Sequence, residues 1–149
     1  MDVPGTVDEI LDRKQSEVWS VSPDTTVYQA IQLMAEKNVG ALPVLDGTRL
    51  VGIVSERDYT RKVILMGRSS RETAVREIMS RDLVLASLGD SIVECMRVMT
   101  QRKVRHLPVV DGPTMLGIVS IGDLVNWIIS AQTAAIDQLE SYITGAYPA

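Results

Sequence analysis

Two short segments of this chain pair a hydroxyl with a carboxylate at one spacing: Ser55-Glu56-Arg57-Asp58 and Ser120-Ile121-Gly122-Asp123. Each follows an apolar run, Leu50-Val51-Gly52-Ile53-Val54 or Met115-Leu116-Gly117-Ile118-Val119. Ser-x-x-Asp after a strand-like run predicts the first turn of a helix. Two readings are open. As a capping box, Ser and Asp satisfy free backbone N–H groups, worth about 1 kcal/mol. As a ligand site, the same turn offers free N–H groups and a positive dipole end that suit phosphate. Asp58 or Asp123 can then accept hydrogen bonds from a ribose diol, as carboxylates do in dinucleotide sites. The readings are compatible, because both place the residues where the helix begins.

A second spot precedes each Leu-Pro-Val: Val39-Gly40-Ala41 in the first half, Val104-Arg105-His106 in the second. Gly40 and Ala41 leave the backbone open to close approach, so its N–H and C=O groups can read an adenine edge. Val39, Ile53, Val104 and Ile118 offer apolar surfaces for the faces of the base. Arg105 and His106 can contact phosphate as charge and donor, or can be loop residues on a solvated rim. Arg57 stands where the second copy has Gly122, and Arg61 and Lys62 stand where it has Asn126 and Trp127. Arg68 and Arg71 follow. These cations give the first copy reach toward a diphosphate or dinucleotide, or else form a solvated helix face.

The elements that must position these residues occur twice. Leu42-Pro43-Val44-Leu45-Asp46-Gly47 returns as Leu107-Pro108-Val109-Val110-Asp111-Gly112, and the offset of 65 residues holds from Leu42/Leu107 to Asp58/Asp123. About a third of the aligned positions are identical between Ser22/Ser87 and Ile64/Ile129. A repeat of this length is one supersecondary unit used twice. Each copy opens on a β-prone run, Val18-Trp19-Ser20-Val21 or Leu83-Val84-Leu85. A helix follows, with an apolar stripe at Val27, Ala30, Ile31 and Met34, or Ile92, Cys95, Met96 and Met99. Thr26 with Gln29 and Ser91 with Glu94 predict capping boxes at its start. Strands at 42–45 and 50–54, and at 107–110 and 115–119, turn at Asp-Gly. The second helix starts at Ser55 or Ser120. The expected fold is α+β, with α/β-type layers: two tandem β-α-β-β-α repeats packed about a pseudo-twofold axis, with clefts between them.

The expected organisation is a lead-in at 1–17, repeats at 18–66 and 83–130, and a linker at 67–82 with a short helical turn. A tail spans 131–149, where Ile136, Leu139, Tyr142 and Ile143 share a face of an amphipathic helix. That helix either covers the core or meets a partner. Thr6-Val7-Asp8-Glu9-Ile10-Leu11 resembles the linker's Ala74-Val75-Arg76-Glu77-Ile78-Met79.

Composition excludes several classes. A net charge of −4 with a pI near 5.0 gives no basic face for nucleic acid. Aromatic residues are 4%, without Phe, so base-stacking platforms for single strands are not expected. Trp19 and Trp127 read as core or interface residues. His106 is the only histidine, which excludes a His-based metal cluster. Cys95, the single cysteine, lies on an apolar stripe and reads as a buried, inert thiol. No apolar run approaches the ~18 residues of a membrane span, and the first residues carry no secretory pattern. A cytoplasmic protein is expected. No nucleophile elbow or phosphate-loop lysine motif is present, so the chain is not expected to be an enzyme.

The two segments Lys37-Asn38-Val39-Gly40-Ala41-Leu42-Pro43-Val44 and Gly52-Ile53-Val54-Ser55-x-x-Asp58, with their counterparts at 102–109 and 117–123, resemble the CBS domain. The resemblance covers roughly residues 18–130. It implies a stand-alone regulatory module whose clefts bind adenosine-containing ligands: AMP, ADP, ATP, S-adenosylmethionine or NAD-type dinucleotides. It places Asp58 and Asp123 at ribose, Ser55 and Ser120 by phosphate, and Ala41, Arg105 and His106 facing base and phosphate. It implies no catalytic cofactor, a homodimer, and a regulated protein that reads the bound state. The alternative is a scaffolding dimer without ligand, in which the motif carboxylates only cap helices.

Overall fold

The computed structural model describes residues 3–14 and 17–144, with side chains described as far as Ser141. Helix α1 (Val7–Lys14) is followed by α2 (Val27–Lys37), hairpin strands β1 (Ala41–Asp46) and β2 (Arg49–Ser55), and α3 (Glu56–Tyr59). The second half repeats this as α4 (Ile92–Arg102), β3 (His106–Asp111), β4 (Thr114–Ser120) and α5 (Ile121–Thr144). The fold is mixed α/β, with two small antiparallel sheets and helices packed on them.

Local chemistry sets most of these boundaries. Thr26 caps α2 through a complete box: Gln29 N donates to Thr26 Oγ1 at 3.1 Å and Thr26 N to Gln29 Oε1 at 3.2 Å. Ser91 caps α4 through Glu94 N at 3.0 Å, but the Glu94 carboxylate pairs with Arg97 instead of returning to the cap. Both helices end on a left-handed residue, Asn38 (φ 54°) and Lys103 (φ 55°). Both hairpins turn at a glycine with positive φ, Gly47 (+64°) and Gly112 (+60°), as primed hairpin turns require. Each carries a bulge just after the paired Val44 or Val109.

The opening runs 18–21 and 83–85 are not strands. Each copy keeps a single parallel bridge, Val21 to Val44 and Ala86 to Val109. Val21 N donates to Pro43 O at 3.1 Å, and Leu45 N donates to Val21 O at 2.8 Å. Extending a parallel ladder backward would need the amide N–H of Pro43, which proline lacks. Pro108 stops the second copy in the same way.

The second helices also differ from the expectation. In the first copy α3 widens after one turn into a π-type turn, Thr60–Ile64, with Leu65 N donating to Thr60 O at 3.1 Å. In the second copy the helix does not stop near 130. The tail helix expected at 131–144 is its continuation, 24 residues in all. Residues 132–140 are exposed, Ile136 and Leu139 among them. The side chains of Tyr142 and Ile143 lie outside the described residues.

There are two cores. One gathers Val27, Ala30, Met34, Leu42, Val44, Val54 and Val63 with Val75 and Ile78 of the linker. The other gathers Ile92, Cys95, Met99, Leu107, Val109, Val119 and Leu124 with Val7 and Ile10 of α1. The likeness between 6–11 and 74–79 is therefore structural. Val75 N donates to Thr25 O and Arg76 N to Pro23 O, while Val7 N donates to Asp90 O and Asp8 N to Leu88 O. The linker packs on the first repeat and α1 packs on the second. Gly52 and Gly117 make the close approach possible: a Cβ at Gly52 would lie 2.7 Å from Met79 Sδ, and one at Gly117 2.9 Å from Leu11 Cδ2.

Candidate functional site

Both Ser-x-x-Asp segments are capping boxes. Asp58 N donates to Ser55 Oγ at 3.1 Å and Ser55 N to Asp58 Oδ2 at 2.9 Å. Asp123 N donates to Ser120 Oγ at 3.1 Å and Ser120 N to Asp123 Oδ2 at 2.8 Å. The caps fix each carboxylate at the start of its helix, and Asp58 lines a cleft between the two repeats. Each is also met by a lysine. Lys62, one turn on, reaches Asp58 Oδ1 at 3.0 Å and donates to Ile78 O at 2.8 Å. Lys14, from α1, reaches Asp123 Oδ2 at 2.9 Å and donates to Ile118 O at 3.1 Å.

The two clefts are unequal. The first has a volume of about 620 Å³ and combines both repeats. The first repeat supplies Gly40, Ala41, Ile53, Ser55, Arg57, Asp58 and Arg61; the second supplies Val104, Arg105 and His106. Apolar walls come from Ile53, Val84, Val104 and Pro108. A volume of this size falls within the ~300–1,000 Å³ of small-molecule pockets.

Cations crowd this cleft. Arg57, Arg61, Lys103 and Arg105 line it, and no ion pair among the described residues engages any of the four. The other basic residues near the first motif face elsewhere: Lys62 holds Asp58, Arg68 pairs with Glu77 at 2.5 Å, and Arg71 lies 4.1 Å over the Tyr28 ring. Burial, reinforced by Lys14 and opposed by Asp123, holds the His106 imidazole below its ordinary value of 6.5. His106 therefore offers a hydrogen-bonding ring rather than a charge at neutral pH.

The second cleft brings Val39, Ala41 and Ile118 together with Trp19 in a recess of only about 150 Å³. Asp123 lies in a separate recess of about 150 Å³, with Trp127, Arg13 and Asn126. Lys14 lines both. Ser120 lines neither, and serves its cap. Sequence reasoning missed Lys103 and Lys14, together with Asp82 on the rim of the first cleft. Lys103 is the left-handed residue that ends α4, and spacing had located only the start and stripe of that helix; Lys14 and Asp82 carried no local signal.

Among the described residues no cluster of three or more His, Cys, Asp or Glu could hold a metal ion. None of their helices is long and apolar enough to cross a membrane. Cys95 is 2% exposed, and its thiol is pushed up to about 11, by burial first and then by Asp90 and Glu94.

Comparisons with known proteins agree with this architecture. The family model described as CBS domain matches residues 7–64 and 75–130. The chain is 39% identical over 137 residues to the mitochondrial CBS domain-containing protein CBSX3 of Arabidopsis thaliana, covering 89% of this chain and 66% of that one. It thus spans just under two thirds of that relative's length. A solved CBS-domain structure from Burkholderia ambifaria, named provisionally for signal transduction, superposes with a TM-score of 0.83 at 46% identity, covering 86% of this chain and 96% of that one. A hexameric CBS-CP12 protein from bloom-forming cyanobacteria superposes with a TM-score of 0.72 at 30% identity, covering 81% and 70%.

Proposed function

This chain belongs to the CBS-domain family, as two domains in tandem, and we propose that it is a regulatory module that binds an adenosine-containing ligand between its repeats and passes occupancy to a partner protein. The observation that carries this reading is the content of the 620 Å³ cleft: a capped carboxylate, apolar walls and four cations that no ion pair among the described residues engages, beside the acidic Glu56 and Asp82. A base fits between Ile53 and Val104 against the open backbone of Gly40 and Ala41. Ribose hydroxyls reach Asp58, whose carboxylate has about four acceptor positions; Ser55 N, Ser55 Oγ and Lys62 use three of them. Phosphates meet Arg57, Arg61, Lys103 and Arg105. That charge favours AMP, ADP, ATP or an NAD-type dinucleotide over S-adenosylmethionine, which brings no phosphate. Binding, not turnover, is the chemistry such a set performs. The residues supply charge and hydrogen bonds but no activated nucleophile.

The module works by linkage: a ligand shifts conformation only as far as its affinities for two states differ. Ile129, Ile136 and Leu139 on α5, with Ile64, Leu65 and Met66 at the equivalent end of the first repeat, leave apolar surface for a second copy of the chain. A dimer mass by light scattering is the expected result.

The test is thermal unfolding with AMP, ADP, ATP, NAD, NADH and S-adenosylmethionine, with GTP as control. Ligand at about 100 times its Kd adds roughly 2.7 kcal/mol, a shift of ~2–4 °C per kcal/mol for this size. The shift should be confined to adenine nucleotides and lost in Asp58→Ala. A second reading, a scaffold without ligand, draws on the fact that both motif carboxylates are already engaged in caps. No shift with any ligand, in protein free of bound nucleotide, would make that reading the better one.

A further inference from the structure

The two clefts are built by equivalent segments, yet only one is open. Aligning 7–14 with 75–82 places Val7 on Val75, Ile10 on Ile78, Leu11 on Met79, and Lys14 on Asp82. The last pair breaks the symmetry. In the first cleft Asp82 is an acid on the rim, 88% exposed and 3.3 Å from Arg102. It leaves that cleft whole. In the second cleft the equivalent residue is a lysine, long enough to cross the cavity.

Lys14 does cross it. Its ammonium lies 2.9 Å from Asp123 Oδ2 and 3.1 Å from Ile118 O. These are the carboxylate of the motif and the backbone of the strand before it, the groups that a nucleoside would meet. In the first cleft the carboxylate and the apolar wall share 620 Å³. In the second they lie in two recesses of 150 Å³ each, with Lys14 lining both. Neither recess reaches the ~300 Å³ of a small-molecule pocket.

The lysine is held from behind. Leu11 packs against Gly117. Trp127 Nε1 donates to Pro4 O at 2.7 Å, and the Arg13 guanidinium lies 4.5 Å from the centre of the Trp127 ring. These contacts anchor the helix that carries Lys14 at its end. Lys62 does not play the same part in the first cleft. It approaches Asp58 from the next turn of its own helix and is not among the residues lining the cavity.

We propose that Lys14 is the resident occupant of the second cleft, dividing it and holding Asp123, so that the chain binds one nucleotide, in the cleft carrying Asp58. The stoichiometry rests on the nucleotide reading above; the Lys14 contact does not. A ligand can enter the second cleft only by displacing Lys14.

Isothermal titration of the full chain with ATP tests this. Wild type should bind one nucleotide per chain and Lys14→Ala two. Asp58→Asn, which keeps a capping oxygen, should lose the wild-type site, and Lys14→Ala with Asp58→Asn should again bind one. Two sites in wild type, or one in Lys14→Ala, overturns the proposal. If wild type binds none of the adenine nucleotides, the nucleotide reading fails, and acetylation of the lysines then decides the contact. Lys14 should be modified more slowly than Lys103, and Asp123→Asn should remove the difference. Equal rates in wild type overturn the proposal.

Discussion

Asp58 and Asp123 have the same sequence context and the same cap, yet they face different cavities. Alanine at either should cost about 1 kcal/mol through the lost return half of the capping box, with the Ser55 or Ser120 cap kept, so stability does not separate them and ligand binding does. His106 gives a sharper test. Its imidazole is held below 6.5 by burial first and then by Lys14. The unfolded chain therefore takes up a proton near 6.5 that the folded chain refuses. The stabilising contribution is full above that value and is lost as pH falls from it through the lowered folded value. Unfolding free energy measured against pH should drop over that window, and His106→Gln should flatten the drop. A variant with an unchanged slope would mean that the ring is solvated.

At the scale of elements, the glycines of β2 and β4 separate two kinds of close packing. A Cβ at Gly52 meets both Met79 Sδ at 2.7 Å and the Ser80 carbonyl oxygen at 2.9 Å. That carbonyl is fixed, because it accepts from Ile53 N at 3.0 Å. Gly52→Ala should cost ~1–3 kcal/mol by overpacking. The three atoms nearest a Cβ at Gly117 all belong to the flexible end of Leu11, so Gly117→Ala should cost less in the same denaturant titration. The ordering, rather than either value, tests the backbone contact. Elements also show where local patterning stops. The caps and stripes of α2 and α4 were legible from spacing, because they join residues three or four apart. The lost first strands were not, because their shortening depends on which partner they meet. The β-prone runs are real, but they pair next to a proline.

At the scale of the whole molecule, each repeat is completed by a segment that precedes or follows it. Val7 and Ile10 sit in the second core at 0% and 4% exposure, although the repeat they complete lies more than seventy residues on. Ile10→Ala should therefore destabilise the protein by ~2–5 kcal/mol, as Ile78→Ala should in the other core. A peripheral lead-in would give a change within about 0.5 kcal/mol. Denaturant unfolding of the two variants distinguishes these outcomes. The same interlocking makes α1 part of the second cleft, which is how a residue near the start of the chain comes to hold the carboxylate of its last helix.

The sequence by itself determined the twofold repeat, the capped helices, the hairpins and the two carboxylate motifs. These rest on interactions between near neighbours, and spacing records such interactions directly. It also named most of the residues that line the first cleft. Tertiary structure alone decided how they combine: the Ser55–Asp58 motif of one repeat faces Val104, Arg105 and His106 of the other. It alone decided that the clefts differ in volume; the difference in cations, Arg57 against Gly122 and Arg61 against Asn126, was already legible in the sequence. The inequality turns on Lys14 and Asp82, which pair across the fold with residues that no spacing rule connects to them. Whether a charge fills a cavity or rims it depends on the reach of the side chain and the sign of its neighbours, and those neighbours are brought together only by packing.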